Sequence, residues 1–232
     1  MTTEQILLLM GAGAVAFLLA ALLGKVMIPE LHKLHFGQTI REEGPAWHQK
    51  KQGTPTMGGL IFILSTTVVS TLALLLAQAL LPEKALSGST LSLVKLFGAL
   101  FLALCCGLIG FADDFIKVVK KRNLGLTVTQ KLGAQLLVAF GYALSTYFAG
   151  AGLLFVPFCG YVDFGIWYIP FCVFVIIAMS NATNLTDGID GLCAGVSFTA
   201  VLPFIAIAGA LKIFGVGVLS VSFAGALAGF LL

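Results

Sequence analysis

Residues Ile166–Leu211 read IWYIPFCVFVIIAMSNATNLTDGIDGLCAGVSFTAVLPFIAIAGAL, and the polar segment Ser180–Gly191 lies between two strongly apolar runs. Because an Asp costs about 2.5–3.5 kcal/mol at a bilayer centre, acids between such runs indicate a helix end or a functional site. Polar residues here are three positions apart, so neighbours lie about 60° apart on a helix and all four share a face only if the helix breaks. Gly188 and Gly191 predict that break, and hence a helix, a polar turn and a second helix. The four residues are Asn181, Asn184, Asp187 and Asp190.

The composition of the whole chain predicts an integral membrane protein. Of its 232 residues, 59% are hydrophobic and 10% are charged, and the mean hydropathy is +1.06. About 20 helical residues cross a hydrocarbon layer of ~30 Å, and seven apolar runs reach or approach that length. We predict one all-α, polytopic transmembrane domain over residues 1–232. The runs are Ile6–Ile28, Met57–Leu81, Leu91–Ala112, Leu132–Gly152, Ile166–Ala182, Leu192–Leu211 and Ile213–Leu232.

The distribution of charge predicts the orientation of these helices. The first run carries Glu4 and no preceding Lys or Arg, so we expect a retained first helix and not a signal peptide. A short interfacial helix is predicted to follow it from Pro29. Assigning the odd-numbered loops to one side places ten of the 13 basic residues there, and only Lys84, Lys95 and Lys212 opposite. The basic side is predicted to be cytoplasmic and the N-terminus to lie outside.

A second polar group follows the third run. Asp113 and Asp114 are adjacent, and adjacent carboxylates repel each other unless cations neutralise them. Lys117 is one helical turn away, and Lys131 begins the next run. Either this is a stop-transfer signal with solvated acids, or it is a functional site; two acids followed by several bases exceed what orientation requires, which favours the site.

The loop before the second run has a composition suited to phosphate. Lys50 and Lys51 offer ammonium groups, and Thr54 and Thr56 offer hydroxyls at the start of a predicted helix. The alternative interpretation, a positively charged anchor followed by a capped helix, is equally compatible with this loop.

Together these residues predict phosphoryl transfer at the inner membrane surface. Carboxylate and Asn oxygens suit Mg²⁺, while Lys side chains and helix N-termini suit phosphates. An anion transporter is the first alternative, but its site should lie near the bilayer midplane in an internally repeated fold, and no repeat is evident. A non-catalytic membrane scaffold is the second.

Other features are predicted to be structural. The segment from Ala151 to Pro170 predicts a short hairpin with interfacial aromatic residues, in which Asp163 has a structural role. Gly225 and Gly229 form a GxxxG spacing that permits close helix contact. The five cysteines are predicted to pack as small hydrophobic residues.

Four segments carry a family resemblance: FGQTIREEGP (36–45), KKQGTPTMGG (50–59), GFADDFIKVVKKRNLGL (110–126) and NATNLTDGIDGL (181–192). In order and spacing they resemble the bacterial phospho-N-acetylmuramoyl-pentapeptide transferases, within the wider superfamily of polyprenyl-phosphate N-acetylhexosamine-1-phosphate transferases. The acidic segments would fit the whole superfamily, whereas the second segment favours the muramoyl-pentapeptide branch.

The resemblance implies transfer of phospho-MurNAc-pentapeptide from UDP-MurNAc-pentapeptide to undecaprenyl phosphate, giving lipid I and UMP with Mg²⁺. It implies a multi-pass protein of the bacterial cytoplasmic membrane whose active site faces the cytoplasm. Membrane lipids are expected partners, the Gly-rich helix faces are compatible with a homodimer, and no nucleic-acid partner is expected. The alternatives are a related UDP-GlcNAc transferase and a non-catalytic fragment.

The resemblance also implies roles for particular residues. It assigns catalysis to five residues. Asp113 and Asp114 form the acidic pair, one of which deprotonates or positions the lipid phosphate. Lys117 and Lys131 hold phosphates, and Asp187 is an acid of the catalytic cleft. The resemblance assigns substrate binding to Lys51, Thr56, Asn181, Asn184, Asp190, Gly191 and Leu192, the last three near the uracil.

Family members have ten transmembrane helices, and their main magnesium ligand and a His-rich loop follow the seventh. Both are therefore expected beyond Leu232, with Asp113 and Asp114 as candidates for additional metal ligands, and the activity of the 232 residues alone is expected to be low.

Overall fold

A computed structural model describes residues 1–33, 57–81, 90–120 and 124–232. Seven α-helices occur in these ranges, together with two short strands and one 3₁₀ turn, Gly165–Trp167, before the fifth helix. The helices are α1 (Thr3–Lys33), α2 (Gly59–Leu80), α3 (Thr90–Val119), α4 (Val128–Phe148), α5 (Tyr168–Thr186), α6 (Leu192–Ala210) and α7 (Phe214–Phe230), and the strands are β1 (Leu153–Val156) and β2 (Gly160–Asp163).

Each predicted apolar run corresponds to one helix, which confirms the all-α class. By length and composition, five helices could cross a membrane: α1, α2, α3, α5 and α6. Helix α7 is apolar but has 17 residues. Helix α4 is not among the five, because Gln130, Lys131 and Gln135 lower its hydropathy.

Two helix boundaries differ from the prediction. Helix α3 continues past Ala112 to Val119, so both acids and Lys117 are helical. Helix α1 continues through Pro29 to Lys33, so the predicted interfacial helix is wrong up to that residue. Pro29 removes one backbone hydrogen bond, but the turns on either side of it keep theirs, and the helix therefore need not end there.

The predicted break in the polar segment is confirmed. Helix α5 ends at Thr186, and α6 begins at Leu192. Between them Gly191 has φ +77°, a left-handed conformation that glycine adopts without the steric cost of a Cβ atom. The turn therefore depends on this glycine.

The chain divides into two compact units. One comprises Met1–Leu86, Gly110–Leu126 and Ile189–Leu232, and the other comprises Ser87–Ile109 and Thr127–Gly188. The first therefore contains α1, α2, α6, α7 and the C-terminal end of α3. The second contains α4, α5, the hairpin and the rest of α3.

In the first unit α1 and α7 run parallel and approach closely through small residues. A Cβ atom added to Gly225 would overlap the carbonyl oxygen of Gly13, and one added to Gly229 would overlap that of Phe17. Ala16 and Ala20 on α1 are fully buried. The GxxxG spacing thus packs one helix against another, as predicted, because small residues let the two backbones approach each other.

In the second unit α4 and α5 run antiparallel, and the β1–β2 hairpin connects them. The strands pair from Leu153↔Asp163 to Val156↔Gly160, which confirms the predicted hairpin. The Asp163 carboxylate accepts a 2.9 Å hydrogen bond from the Gly165 backbone N–H, as expected for a structural residue. At the same end of the helix pair the Tyr168 hydroxyl and the Thr146 hydroxyl are buried and 3.1 Å apart.

The contact between α1 and α7 gives a first prediction. Gly225→Ala should lower the thermal unfolding temperature in detergent, because overpacking a closely packed position costs about 1–3 kcal/mol. Gly195→Ala is the matched control, since a Cβ atom there meets nothing within 4 Å. Equal unfolding temperatures for the two variants would contradict the close contact.

Candidate active site

The acidic pair is held by a lysine on its own helix. Because α3 continues to Val119, Lys117 lies one turn beyond both acids. Its Nζ atom is 2.8 Å from Oδ2 of Asp113 and 2.9 Å from Oδ1 of Asp114. One ammonium group therefore bridges two adjacent carboxylates and offsets the repulsion between them, and Lys117 is one of the nearby cations that the sequence offered for this role.

The two acids differ in their surroundings. Oδ1 of Asp113 accepts a 2.8 Å hydrogen bond from the Leu126 backbone N–H, so both of its oxygens contact protein donors. Gly125 packs directly on Asp113, where a Cβ atom would overlap the carboxylate. The side chain of Asp113 is 12% exposed and that of Asp114 is 34% exposed. Asp113 therefore ties the segment after α3 to the helix, while Asp114 is the more accessible carboxylate.

In the second unit the start of α4 is fixed by a capping box. The Thr127 hydroxyl accepts from the Gln130 backbone N–H, and the Gln130 side chain accepts from that of Thr127. This arrangement satisfies backbone donors at the helix start. It also places Lys131 in the first turn, where its Nζ atom donates a 3.1 Å hydrogen bond to Oδ1 of Asn184 on α5.

One turn further along α4, Gln135 bonds to two residues of α5. Its Nε2 atom is 3.1 Å from the Ser180 hydroxyl, and its Oε1 atom accepts a 3.0 Å hydrogen bond from Nδ2 of Asn181. Gln135 is 4% exposed. The sequence prediction did not include this residue, although an amide within the apolar run LGAQLLVAF was a usable signal.

The remaining predicted residues lie at the helix break. Asp187 caps the end of α5, Asp190 is in the turn, Gly191 precedes α6 and Leu192 is its first residue. All four are exposed. The structure therefore brings together Asp113, Asp114 and Lys117 in one unit, and Lys131 and Asn184 in the other, with Asn181 reached through Gln135. Lys51 and Thr56 lie outside the described residues.

The described residues do not by themselves fit a magnesium site. Within residues 1–33, 57–81, 90–120 and 124–232, no three His, Cys, Asp or Glu side chains lie close enough to hold a metal. Asp113 and Asp114 are the nearest candidates, and Lys117 contacts both.

Comparison with known proteins gives two family matches. Residues 96–232 match the model described as glycosyl transferase family 4. Residues 51–63 match the model described as phospho-N-acetylmuramoyl-pentapeptide-transferase signature 1. The first match includes every predicted site residue except Lys51 and Thr56, and the second includes those two.

Curated relatives with the same name resemble nearly the whole chain. The phospho-N-acetylmuramoyl-pentapeptide-transferase of Bacillus pumilus is 42% identical over 217 residues, covering 93% of this chain and 63% of the relative. That of Desulforudis audaxviator is 43% identical, with coverages of 95% and 66%. That of Bacillus subtilis is 42% identical, with coverages of 98% and 67%. The chain thus spans about two thirds of the length of these relatives.

The Gly125–Asp113 contact gives a second prediction. Gly125→Ala should lower the thermal unfolding temperature, because the new methyl group would displace the hydrogen bond between Leu126 and Asp113. Gly133→Ala is the control, since nothing lies within 4 Å of a Cβ atom at that position. An unchanged unfolding temperature for Gly125→Ala would show that the segment after α3 does not rest on Asp113.

Proposed function

The chain belongs to glycosyl transferase family 4, and we propose that it acts in a phospho-N-acetylmuramoyl-pentapeptide-transferase. An oxygen of undecaprenyl phosphate attacks the β-phosphorus of UDP-MurNAc-pentapeptide. The bond from that phosphorus to the bridging oxygen breaks, UMP leaves and lipid I forms. The observation that carries the proposal is the match of residues 51–63 to the signature of this branch, supported by 42% identity to the Bacillus subtilis relative.

The acidic pair and its lysine have the chemistry that this reaction needs. A phosphate group carries negative charge, so it needs cations and hydrogen-bond donors, and Lys117 and Lys131 supply ammonium groups. Asp114, as the more exposed carboxylate, is suited to position or deprotonate the lipid phosphate. Asp113 holds the adjoining segment through its bond with Leu126. Of the exposed residues at the helix break, Asp187 is proposed to act in catalysis, and Asp190, Gly191 and Leu192 are proposed to contact the nucleotide near the uracil.

A magnesium requirement is part of the proposal and rests on the substrate. A diphosphate concentrates negative charge, which Mg²⁺ commonly neutralises while it keeps several waters. We expect chelation by EDTA to abolish transfer and added Mg²⁺ to restore it.

The orientation is proposed from the distribution of charge. Basic residues lie at helix ends that the order of the loops assigns to one side of the membrane: Lys33 ends α1, Lys117 and Lys120 lie at the end of α3, and Lys131 lies in the first turn of α4. By the positive-inside rule that side is the cytoplasmic face of a bacterial inner membrane, where a soluble nucleotide substrate is available.

The third prediction concerns the substrate. The full-length protein, purified in detergent, should release UMP from UDP-MurNAc-pentapeptide only when undecaprenyl phosphate is present, measured by chromatography of the nucleotide product. Equal release from UDP-GlcNAc would assign the chain to a sibling sugar-phosphate transferase and refute the narrower proposal.

The fourth prediction separates the roles of the two acids. Asp114→Asn should lower kcat about 100-fold or more and leave the unfolding temperature near that of the wild type, because general acid–base groups contribute about 10²–10⁴-fold. Asp113→Asn should lower both kcat and the unfolding temperature. Asp187→Asn should lower kcat as well.

The control for these variants is Asp163→Asn, in which Asn retains an oxygen that can accept from Gly165. It should change neither quantity. Near-normal kcat in all three site variants would return those acids to a structural role.

A further inference from the structure

Gln135 is a buried polar side chain to which the proposed reaction gives no role. It lies on α4, one turn beyond Lys131, and is 4% exposed. All of its side-chain hydrogen bonds go to α5, to Ser180 and Asn181, at the end of that helix where the predicted substrate-binding residues lie. A buried amide in an apolar helix is costly unless it is paired, and both polar atoms of Gln135 are paired.

The orientation of each side-chain amide in this network follows from a neighbouring group that can only accept, or can only donate, a hydrogen bond. The Ile177 backbone carbonyl can only accept, and an atom of Asn181 lies 2.9 Å from it, so that atom must be the donor Nδ2. The Gln135 atom 3.0 Å from the same Nδ2 must then be the acceptor Oε1. Gln135 Nε2 is consequently left to donate to the Ser180 hydroxyl.

The same reasoning orients Asn184. The Lys131 ammonium group can only donate, so the Asn184 atom 3.1 Å from it must be the acceptor Oδ1. Asn184 therefore has its Nδ2 atom left to offer. A donor amide beside an ammonium group matches phosphate oxygens, which accept hydrogen bonds.

Asn181 offers a hydrogen-bond acceptor, whereas Asn184 offers a donor. Both of its Nδ2 hydrogens are used, one by Ile177 and one by Gln135, and its Oδ1 atom has no hydrogen-bond partner among the described residues. Asn181 can thus offer a ligand only an acceptor. That acceptor suits a hydroxyl or amide N–H of a ligand and does not suit an ionised phosphate.

We propose that Gln135 is a positioning residue that holds the Asn181 amide with its oxygen available to an O–H or N–H group of the sugar-nucleotide donor. This role rests on the proposed function, because it assumes that Asn181 contacts the donor substrate. Without the Gln135 acceptor, the Asn181 amide retains only its bond to Ile177 and can rotate away from the orientation that binds.

Removing a hydrogen bond between α4 and α5 could change the kinetics simply by weakening the contact between the two helices. A second hydrogen bond between the same helices provides the control for that effect. The Tyr168–Thr146 hydrogen bond joins the same two helices, and Thr146 lies 11 residues beyond Gln135, about 16 Å along α4. Tyr168→Phe removes that bond and touches nothing near Asn181. A purely structural role for Gln135 predicts similar kinetic effects from removing either bond.

The experiment compares three variants of the full-length protein in steady-state assays of UMP release. Gln135→Met keeps the approximate volume and removes both polar atoms, and it should raise the KM for UDP-MurNAc-pentapeptide about tenfold or more, because misplacing a binding group is costly. The KM for undecaprenyl phosphate should stay the same. Gln135→Glu keeps an oxygen that can accept from Nδ2 of Asn181 and should give a KM close to that of the wild type. Tyr168→Phe should leave both KM values unchanged.

A double-mutant cycle tests whether Gln135 acts through Asn181. Asn181→Ala alone should raise the donor KM, and adding Gln135→Met should raise it little further, because the two changes remove one interaction. Additive effects, or equal effects of Gln135→Met and Tyr168→Phe on the donor KM, would overturn the proposal. A wild-type protein that releases no UMP would refute the proposed function and this role together, whereas an active wild type whose Gln135→Met variant keeps its KM would refute the role alone.

Discussion

The cost of leaving a polar group unpaired in apolar surroundings is the constraint on which the candidate site depends. Asp113 is buried in the C-terminal part of α3 and is stabilised there by Lys117 and the Leu126 backbone N–H. Gln135 is buried in α4 and is bonded to Ser180 and Asn181. Each of these groups would otherwise be expensive to bury. The bonds that remove that cost also fix the conformation of the residues proposed to bind substrate.

The sequence predicted most of the helical architecture, because apolar runs and glycines act locally. The break between Thr186 and Leu192 followed from Gly188 and Gly191, and the contact of Gly225 with α1 followed from its GxxxG spacing. The need for a cation beside Asp113 and Asp114 also followed from their adjacency, but the choice of Lys117 among the nearby bases depends on the helix continuing to Val119, where residues three and four apart are neighbours.

Contacts between distant residues could not be predicted in the same way. The partner of Gln135 depends on the register of α4 against α5, and the partner of Asp113 depends on the path of the chain after α3. Neither leaves a periodic signal. The apolar run ends at Ala112 because charged residues follow it, but α3 continues to Val119 because a helix needs only backbone hydrogen bonds to continue. The roles carried over from the family resemblance stay predictions.

The two units hold their helices together by different means, and this difference bears on how mutations can be interpreted. Between α1 and α7, Gly and Ala permit close backbone approach, and no predicted site residue takes part in that contact. Between α4 and α5, buried hydrogen bonds join the helices, and Asn181 is a member of that network. Lipid tails are as apolar as the helices, so association rests on packing and on interhelical hydrogen bonds. Stability and substrate binding can therefore be changed separately at the α1–α7 contact. In the second unit the Gln135–Asn181 hydrogen bond joins the helices and is also proposed to orient Asn181 for the substrate. Only a comparison with a distant bond in the same helix pair therefore separates the two effects.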